Sequence, residues 1–462
     1  MSDSAFETAL QRANQHLAAG QPEKAHAAVA AFAKDPKGRT QVMGLLALWR
    51  ATPGKPGLVA EVKRLAAGFG ADPLVVTAAC DALIRDAERF APDEPPPADG
   101  AAHSALALVQ RCLDDLAEEH RDDPQTLAYL QVCLGNALRL VHLYDRALPA
   151  LKSALSKRPD HGAWWFNLGL LHKQRGDYVQ GVEANRKARE LLGDQKPVLW
   201  NLAICATATG DGQTAVEAFG ALGLSAYVAP SGMPQVDYMP PVQLRVATVG
   251  PGHMGPSHVP DDAVSFELVW VTPLSPCHGV VQTPTYRRGS VDFGDVVLWD
   301  VVPVGATTFE GKPVPRFPLL SVLREGAEHR FRFIALQRKS GAIAALEGAL
   351  PQGGQLFVHR ERVEPAPAAP SAVAEPLSPA AQQPDVGATD DGRLVYGKVV
   401  LPAEADLTSF RKEFTALVAA TEVELVMPEL LEKLGDTPAA GKAHTMWRGL
   451  ERTLEKAQRR ED

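Results

Sequence analysis

Three small residues at equal intervals organise the first half of this chain. Gly135, Gly169 and Ala203 are evenly spaced, with a step of about 34 residues. Gly169 lies in the stretch GAWWFNLGLLHKQRGDYVQGVEANRKARELLGD, Gly162 to Asp194. In this central copy Trp165, Leu168 and His172 fall at helical spacing and define one apolar face. Gly169 has no side chain, so a facing helix can approach closely there. Gly176 suits the positive-φ residue that ends a helix, and Asp177 suits the cap of the next one. One such helix pair cannot bury its apolar face alone; about three stacked copies are needed. The three copies therefore predict a helical solenoid.

The same residues resemble the tetratricopeptide repeat (TPR). The central copy has the aromatic (Trp165), the Leu168-Gly169 pair, the Gly176-Asp177-Tyr178 turn and the small residues Gly181, Ala184 and Ala188. The earlier copy, from about Ala128, offers Leu134, Gly135, Tyr144, Ala147, Leu151, Ala154 and Pro159. The later copy, from about Lys196, offers Leu199, Leu202, Ala203, Gly210, Ala215 and Phe219. The likeness covers residues 128–229 and, with fewer matches, 6–39, where Gly20-Gln21-Pro22 separates two helical stretches. It implies helix pairs stacked around a groove that holds part of another protein. In such arrays the residue two after the tryptophan place faces the groove. Asn167 and Asn201 occupy it, and Cys133 departs from the pattern. An asparagine amide both donates and accepts, so it can pair with a peptide unit of any sequence. Neighbouring groove positions are Asn136, Arg139, Phe166, Leu170, Lys173 and Trp200, with Arg139 and Lys173 suited to an acidic group. The full basic clamp of chaperone-binding TPR proteins is not visible.

From about Leu224 helical periodicity stops and β-branched runs bounded by Pro and Gly begin. Strands are expected at Gln243–Val249, Val264–Thr272, Gly279–Thr283, Asp295–Asp300, Arg330–Gln337 and Gln355–Arg360, which suggests a small β-barrel or sandwich. Glu364 to Asp391 is rich in Pro and Ala and reads as a disordered linker. Beyond it, strands at Leu394–Leu401 and Val423–Val426 alternate with helices at Leu407–Ala420, Pro428–Leu434 and Ala443–Gln458. The expected fold is multidomain α+β: a TPR-like solenoid at 1–225, a β-rich domain at 240–362, a linker at 363–392 and a small α/β tail at 393–462. With roughly 150 residues per domain, a length of 462 has room for that division.

A net charge of −8 and a pI near 5.9 argue against nucleic acid as a partner. Five scattered cysteines with no CxxC pair fit a reducing compartment. The chain opens without a secretory pattern and has no run of about 18 apolar residues, so a cytoplasmic location and no membrane partner are expected. Heavy use of Ala, Pro and Arg suits a GC-rich bacterial genome.

Chemistry has two candidate places in the β-rich part. His253, His258, Cys277 and His278 bring imidazole and thiolate donors that suit zinc, although their spacing matches no established zinc motif. Cys277 beside a histidine also suits a thiol nucleophile. The run Gly294 to Asp300 looks like the turn and strand that open small SH3-like barrels, some of them toxin ribonucleases. That likeness implies a phosphate or acid/base role for Arg287, Arg288 and Asp295, whereas Gly-Asp before a strand is also ordinary turn chemistry. No phosphate loop, dinucleotide fingerprint or HExxH is present, and no cofactor is expected. The leading expectation is a protein–protein adaptor that holds a peptide or helix in its groove. The alternative is an enzyme whose β domain holds a metal or thiol site while the repeats recruit substrate. A third reading is purely structural: the repeats bind the β domain or, in self-association, a second copy of the chain.

Overall fold

The computed structural model describes residues 3–70, 72–90, 94–121, 123–249, 264–286, 288–309, 311–359, 388–389, 392–421 and 423–461. The chain forms two compact units, Met1–Val236 and Asp237–Asp462.

The first unit is built from helices α1 (Asp3–Ala18), α2 (Pro22–Lys34), α3 (Arg39–Ala51), α4 (Leu58–Ala67), α5 (Pro73–Ala87), α6 (Ala101–Asp114), α7 (Glu118–Arg121), α8 (Pro124–Leu140), α9 (Tyr144–Lys157), α10 (Gly162–Arg175), α11 (Tyr178–Leu192), α12 (Lys196–Ala208) and α13 (Gly212–Ala221). A short ribbon, β1 (Tyr227–Val228) with β2 (Pro234–Gln235), packs on α13. Local chemistry sets many of these limits. Proline occupies the first turn of α2, α5, α8 and α12, where its missing N–H costs little. Asp72, Asp123 and Asp211 cap α5, α8 and α13 by accepting backbone N–H bonds. The helical run breaks between α6, which stops at Asp114, and α7, which begins at Glu118.

The repeat is visible in the backbone. His142, Gly176 and Gly210 keep the same interval as Gly135, Gly169 and Ala203. They have φ of 60°, 79° and 75° and end α8, α10 and α12. Helix pairs approach closely at the expected glycines. A Cβ on Gly169 would lie 2.5 Å from the Asn185 side chain on α11, and one on Gly135 would lie 2.6 Å from Leu151 on α9. Two expectations change in detail. Trp164, not Trp165, enters the core; Trp165 is half-buried and donates its Nε1–H to the Pro159 carbonyl at 2.8 Å. Asp177 does not cap α11 with its side chain, which instead accepts from Arg175 at 2.6 Å and meets His172 Nδ1 at 3.3 Å. Helix α8 serves two cores. Leu130, Cys133 and Ala137 join the cluster of α1–α6, and Ala128, Val132 and Leu138 join that of α9–α11.

The second unit contains β3 (Val242–Val249), β4 (Val264–Ser275), β5 (His278–Val281), β6 (Arg288–Gly289), β7 (Val296–Trp299), β8 (Gly305–Phe309), β9 (Lys312–Arg324), β10 (His329–Gln337), α14 (Ala342–Gly348), β11 (Gln355–Val358), β12 (Ala388–Thr389), β13 (Gly392–Leu401), α15 (Leu407–Ala419), β14 (Val423–Val426), α16 (Pro428–Lys433) and α17 (Thr437–Glu461). Strands β3, β4, β5, β7 and β9 form an antiparallel meander. Strand β9 then returns to pair with β3 in parallel, Gln243 opposite Arg316, which closes a five-stranded barrel. Parallel closure follows from the count, because the first and fifth strands of a meander run the same way. Leu244, Val246, Val269, Val271, Val281, Val297 and Trp299 fill it.

The other sheet has the order β11-β13-β10-β14, with β12 beside β13. This corrects the expected division at 240–362 and 393–462. Strand β13, expected in a separate tail, lies between β10 and β11, so one sheet is assembled from both segments. Residues 360–387, most of the expected linker, lie outside the described residues. Alternation gives the sheet two covered faces. Phe331, Phe333, Val395 and Val399 pack with Phe410 and Phe414 of α15, while Ile334, Leu336 and Leu394 pack with Trp447 and Leu450 of α17. Arg332 and Lys398 stand directly opposite each other, an unfavourable like-charge pair. Glu429 of α16 binds the first, and Asp292, from the turn before β7, binds the second. In that turn the buried Asp295 accepts from the backbone N–H of Asp292 and Gly326 and from Arg330, each at 2.8 Å.

Two stability outcomes follow from this packing. Replacing His142 with Gly removes a left-handed strain of about 1–2 kcal/mol and adds chain entropy of roughly 0.5–1 kcal/mol, so a net gain of up to about 1.5 kcal/mol is expected. The thermal midpoint of His142→Gly should rise; a fall means that ring contact with Tyr144 outweighs the strain. Asp295→Ala leaves two N–H groups without their acceptor and Arg330 with only the longer contact to Glu328 at 3.7 Å, and should cost about 3 kcal/mol. Urea unfolding followed by the barrel's Trp299 would read this, and an unchanged midpoint would remove Asp295 as the pin of the turn.

Candidate functional site

The first helices of the three clear repeats, α8, α10 and α12, carry the expected groove residues. Phe166, Asn167 and Leu170 are half-buried on one face of α10, while Leu168, Leu171 and His172 of the same helix are buried. Trp200 on α12 is also half-buried, with its ring 6.0 Å from that of Phe219. Asn136, Arg139, Lys173 and Asn201 are buried. Arg139 is not available to an acidic ligand as the sequence suggested. Its Nη2 binds Glu88, at the end of α5, at 3.0 Å, and its Nη1 reaches Gln174 on α10 at 3.4 Å. Burial pulls its pKa down and Glu88 opposes that pull. The Asn136 Oδ1 and Arg139 Nε atoms, one turn apart on α8, are buried without a hydrogen-bond partner among the described residues.

Sequence reasoning passed over an aromatic cluster at the start of α10. The His161 ring stacks on Trp164 at 4.2 Å, and Tyr129, 38% exposed, meets Trp164 edge-on at 5.2 Å. The signal was the adjacent Trp164 and Trp165, of which a helix can turn only one directly into its core.

The metal and thiol candidates come together only in part. His253 and His258 lie outside the described residues, as does Arg287. Cys277 and His278 are both buried at the β4–β5 hairpin. There Ser275 Oγ lies 2.6 Å from His278 Nδ1, accepts the Cys277 backbone N–H at 3.3 Å and sits 3.8 Å from its sulfur. Burial pushes the His278 pKa down to about 4, so the ring is neutral at neutral pH. Among the described residues no group of three His, Cys, Asp or Glu is placed to hold a metal. A thiol nucleophile needs access as well as a base, and Cys277 is enclosed. The arrangement serves the hairpin: one hydroxyl ties together a backbone amide and an imidazole. Asp295 is likewise occupied in its turn, and Arg288 lies on β6 at the barrel edge.

No protein-family model matches the chain. The protein O-mannosyl-transferase TMTC1 of Homo sapiens and that of Mus musculus are each 32% identical to it over 81 residues, which is 18% of this chain. The chain spans only 9% of the length of those relatives. Among solved structures, PilF of Pseudomonas aeruginosa aligns with a TM-score of 0.34 and 16% identity, covering 48% of this chain and 91% of that one. MamA of Desulfovibrio magneticus RS-1 aligns with a TM-score of 0.29 and 17% identity, covering 48% and 96%. The chain carries TPR-like helical repeats. Its own backbone supports this, in helix pairs whose turns recur at one fixed interval, at His142, Gly176 and Gly210. Among the described residues no helix is long and apolar enough to cross a membrane.

The buried His278 makes stability depend on pH. Its folded pKa, about 4, lies below the ordinary 6.5, so the unfolded chain takes up the proton first. The contribution is complete above pH 6.5 and is lost as pH falls towards 4, to a total of about 3 kcal/mol. His278→Gln should therefore show a flatter loss of stability than the parent across that interval. Parallel curves in denaturant titrations at several pH values would show that the ring is not desolvated.

Proposed function

We propose that this protein is an interaction scaffold and that the face of α10 and α12 holds an extended peptide or a helix of a protein partner. The observation that carries this reading is the division of α10. Phe166, Asn167 and Leu170 form a half-buried edge, while the rest of the helix supplies the core. The amide of Asn167 can donate to a carbonyl and accept from an N–H of the same peptide backbone. Phe166, Leu170 and Trp200 offer apolar surface for the partner's side chains. Asn136, Lys173 and Asn201 are more deeply buried than these. Arg139 is paired with Glu88 and is not assigned to the partner. Solenoids commonly use such a face for extended ligands, because stacking presents equivalent positions at regular intervals.

Selection of peptides from a displayed library against the full chain tests this reading. Selected peptides should lose about tenfold in affinity for Asn167→Ala, the worth of one or two hydrogen bonds, and more for Phe166→Ala combined with Leu170→Ala. Circular dichroism identical to the parent must accompany both variants. Peptides that bind the folded variants as tightly as the parent would overturn the assignment of this face.

A further inference from the structure

Residues of α2, α3 and α4, away from the repeats just described, line an open cleft of about 580 Å3 in which Ala27, Ala30 and Lys34 are exposed. That size suits a small organic molecule. Ala27 and Ala30 of α2 line one side, and their short side chains leave the space unfilled. Trp49 of α3, 1% exposed, also lines it, and the Trp49 indole N–H has no acceptor among the described residues. The His26 ring meets Trp49 edge-on at 5.2 Å, and its Nε2 is already engaged with Thr52 Oγ1 at 3.0 Å. Lys55 lies over the Trp49 ring, 4.4 Å from its centroid, and pairs with Glu61.

The remaining cations differ from Lys55. Arg64 of α4 donates to the Ala33 carbonyl at the end of α2, beside Lys34. The partial negative charge of that helix end holds both cations near the cavity without neutralising either. Neither Lys34 nor Arg64 has a carboxylate partner among the described residues. The lining thus sets three cations against the single carboxylate of Glu61, in a chain whose net charge is −8. An apolar lining alone would take a hydrocarbon, and two unpaired cations alone would take any small anion. Their combination selects a molecule with both parts.

We propose that this cavity binds a small carboxylate with an apolar body, of the arylalkanoate class. The body lies against Ala27, Ala30 and the Trp49 wall, and the carboxylate meets Lys34 and Arg64. The site is separate from the peptide face of α10 and α12 and does not depend on it.

Isothermal titration calorimetry of the full chain with 3-phenylpropionate, and with its neutral counterpart 3-phenylpropanamide, tests the proposal. The carboxylate should bind with a dissociation constant on the order of 0.1–1 mM, as expected for a ligand of this size, and the amide about tenfold more weakly. Lys34→Ala with Arg64→Ala should bring the carboxylate down to the amide's affinity. Because Arg64→Ala also removes a carbonyl's partner, Ala30→Leu provides an independent variant: it fills the cavity with the charges in place and should abolish binding of both compounds. The proposal is overturned if the carboxylate gives no heat at millimolar concentration, if acid and amide bind alike, or if folded Ala30→Leu binds as the parent does.

Discussion

The first unit depends on the fact that a single helix hairpin cannot bury its own apolar face. Each pair here must lend a face to the next, and α8 shows how. One set of its side chains enters the core of the preceding helices and another enters the core of the following pair. Close approach at Gly135 and Gly169 brings the two helices of each hairpin together, and the positive-φ residues at 142, 176 and 210 reverse the chain at the same point each time. Regular stacking follows from these local devices, and it leaves one edge of α10 less buried than its other sides.

How much of this was legible in the sequence depended on how local the determining physics is. The repeat register, the proline starts and the turn glycines are properties of short segments, and the sequence displayed them directly. The two tryptophans were harder to separate. Neighbouring residues on a helix point about 100° apart, so either could face inwards, and the Pro159 carbonyl draws the Trp165 indole outwards. Strands β8 and β9 went unread because Pro313, Pro315 and Pro318 lie in β9. Proline lacks a donor and argues against a central strand, yet on β9 it is tolerated opposite the edge strand β8 and at irregular points of the barrel. The second sheet was divided wrongly for a different reason. Strands β10 and β13 are far apart in the chain, and no local pattern announces a contact of that sequence separation.

Of the candidate site, the sequence showed the helix and its register, and less of the chemistry. Register alone placed Asn167, Phe166 and Leu170 on a partly open face. It could not show that Arg139 is spent internally, because Glu88 lies 51 residues away on another helix. The physical rule is nevertheless general: a buried guanidinium must find a carboxylate, so an arginine at a groove position is as easily a brace as a ligand contact. The same logic applies to Cys277 and His278. Cys277 lies in the turn before β5, and Ser275, two residues before it, engages both its backbone N–H and the His278 ring, so both positions serve the hairpin.

Internal pairing is therefore the better guide to where this chain can recognise something else. Across the described residues most charged groups near a cleft are already matched: Arg332 with Glu429, Lys398 with Asp292, Arg186 with Asp211. A ligand at such a place would have to displace a carboxylate already in contact, which sets a high threshold for binding. Lys34 and Arg64 impose less of that threshold, since among the described residues the nearby carboxylates Asp35 and Glu61 pair with Lys37 and Lys55 instead. Asn167 is in a similar position for neutral ligands, with a polar amide on an open edge rather than in a closed network. Two different kinds of recognition, one for a peptide backbone and one for an apolar carboxylate, are thus compatible within the same helical unit, because each uses polar groups that the fold itself leaves uncommitted.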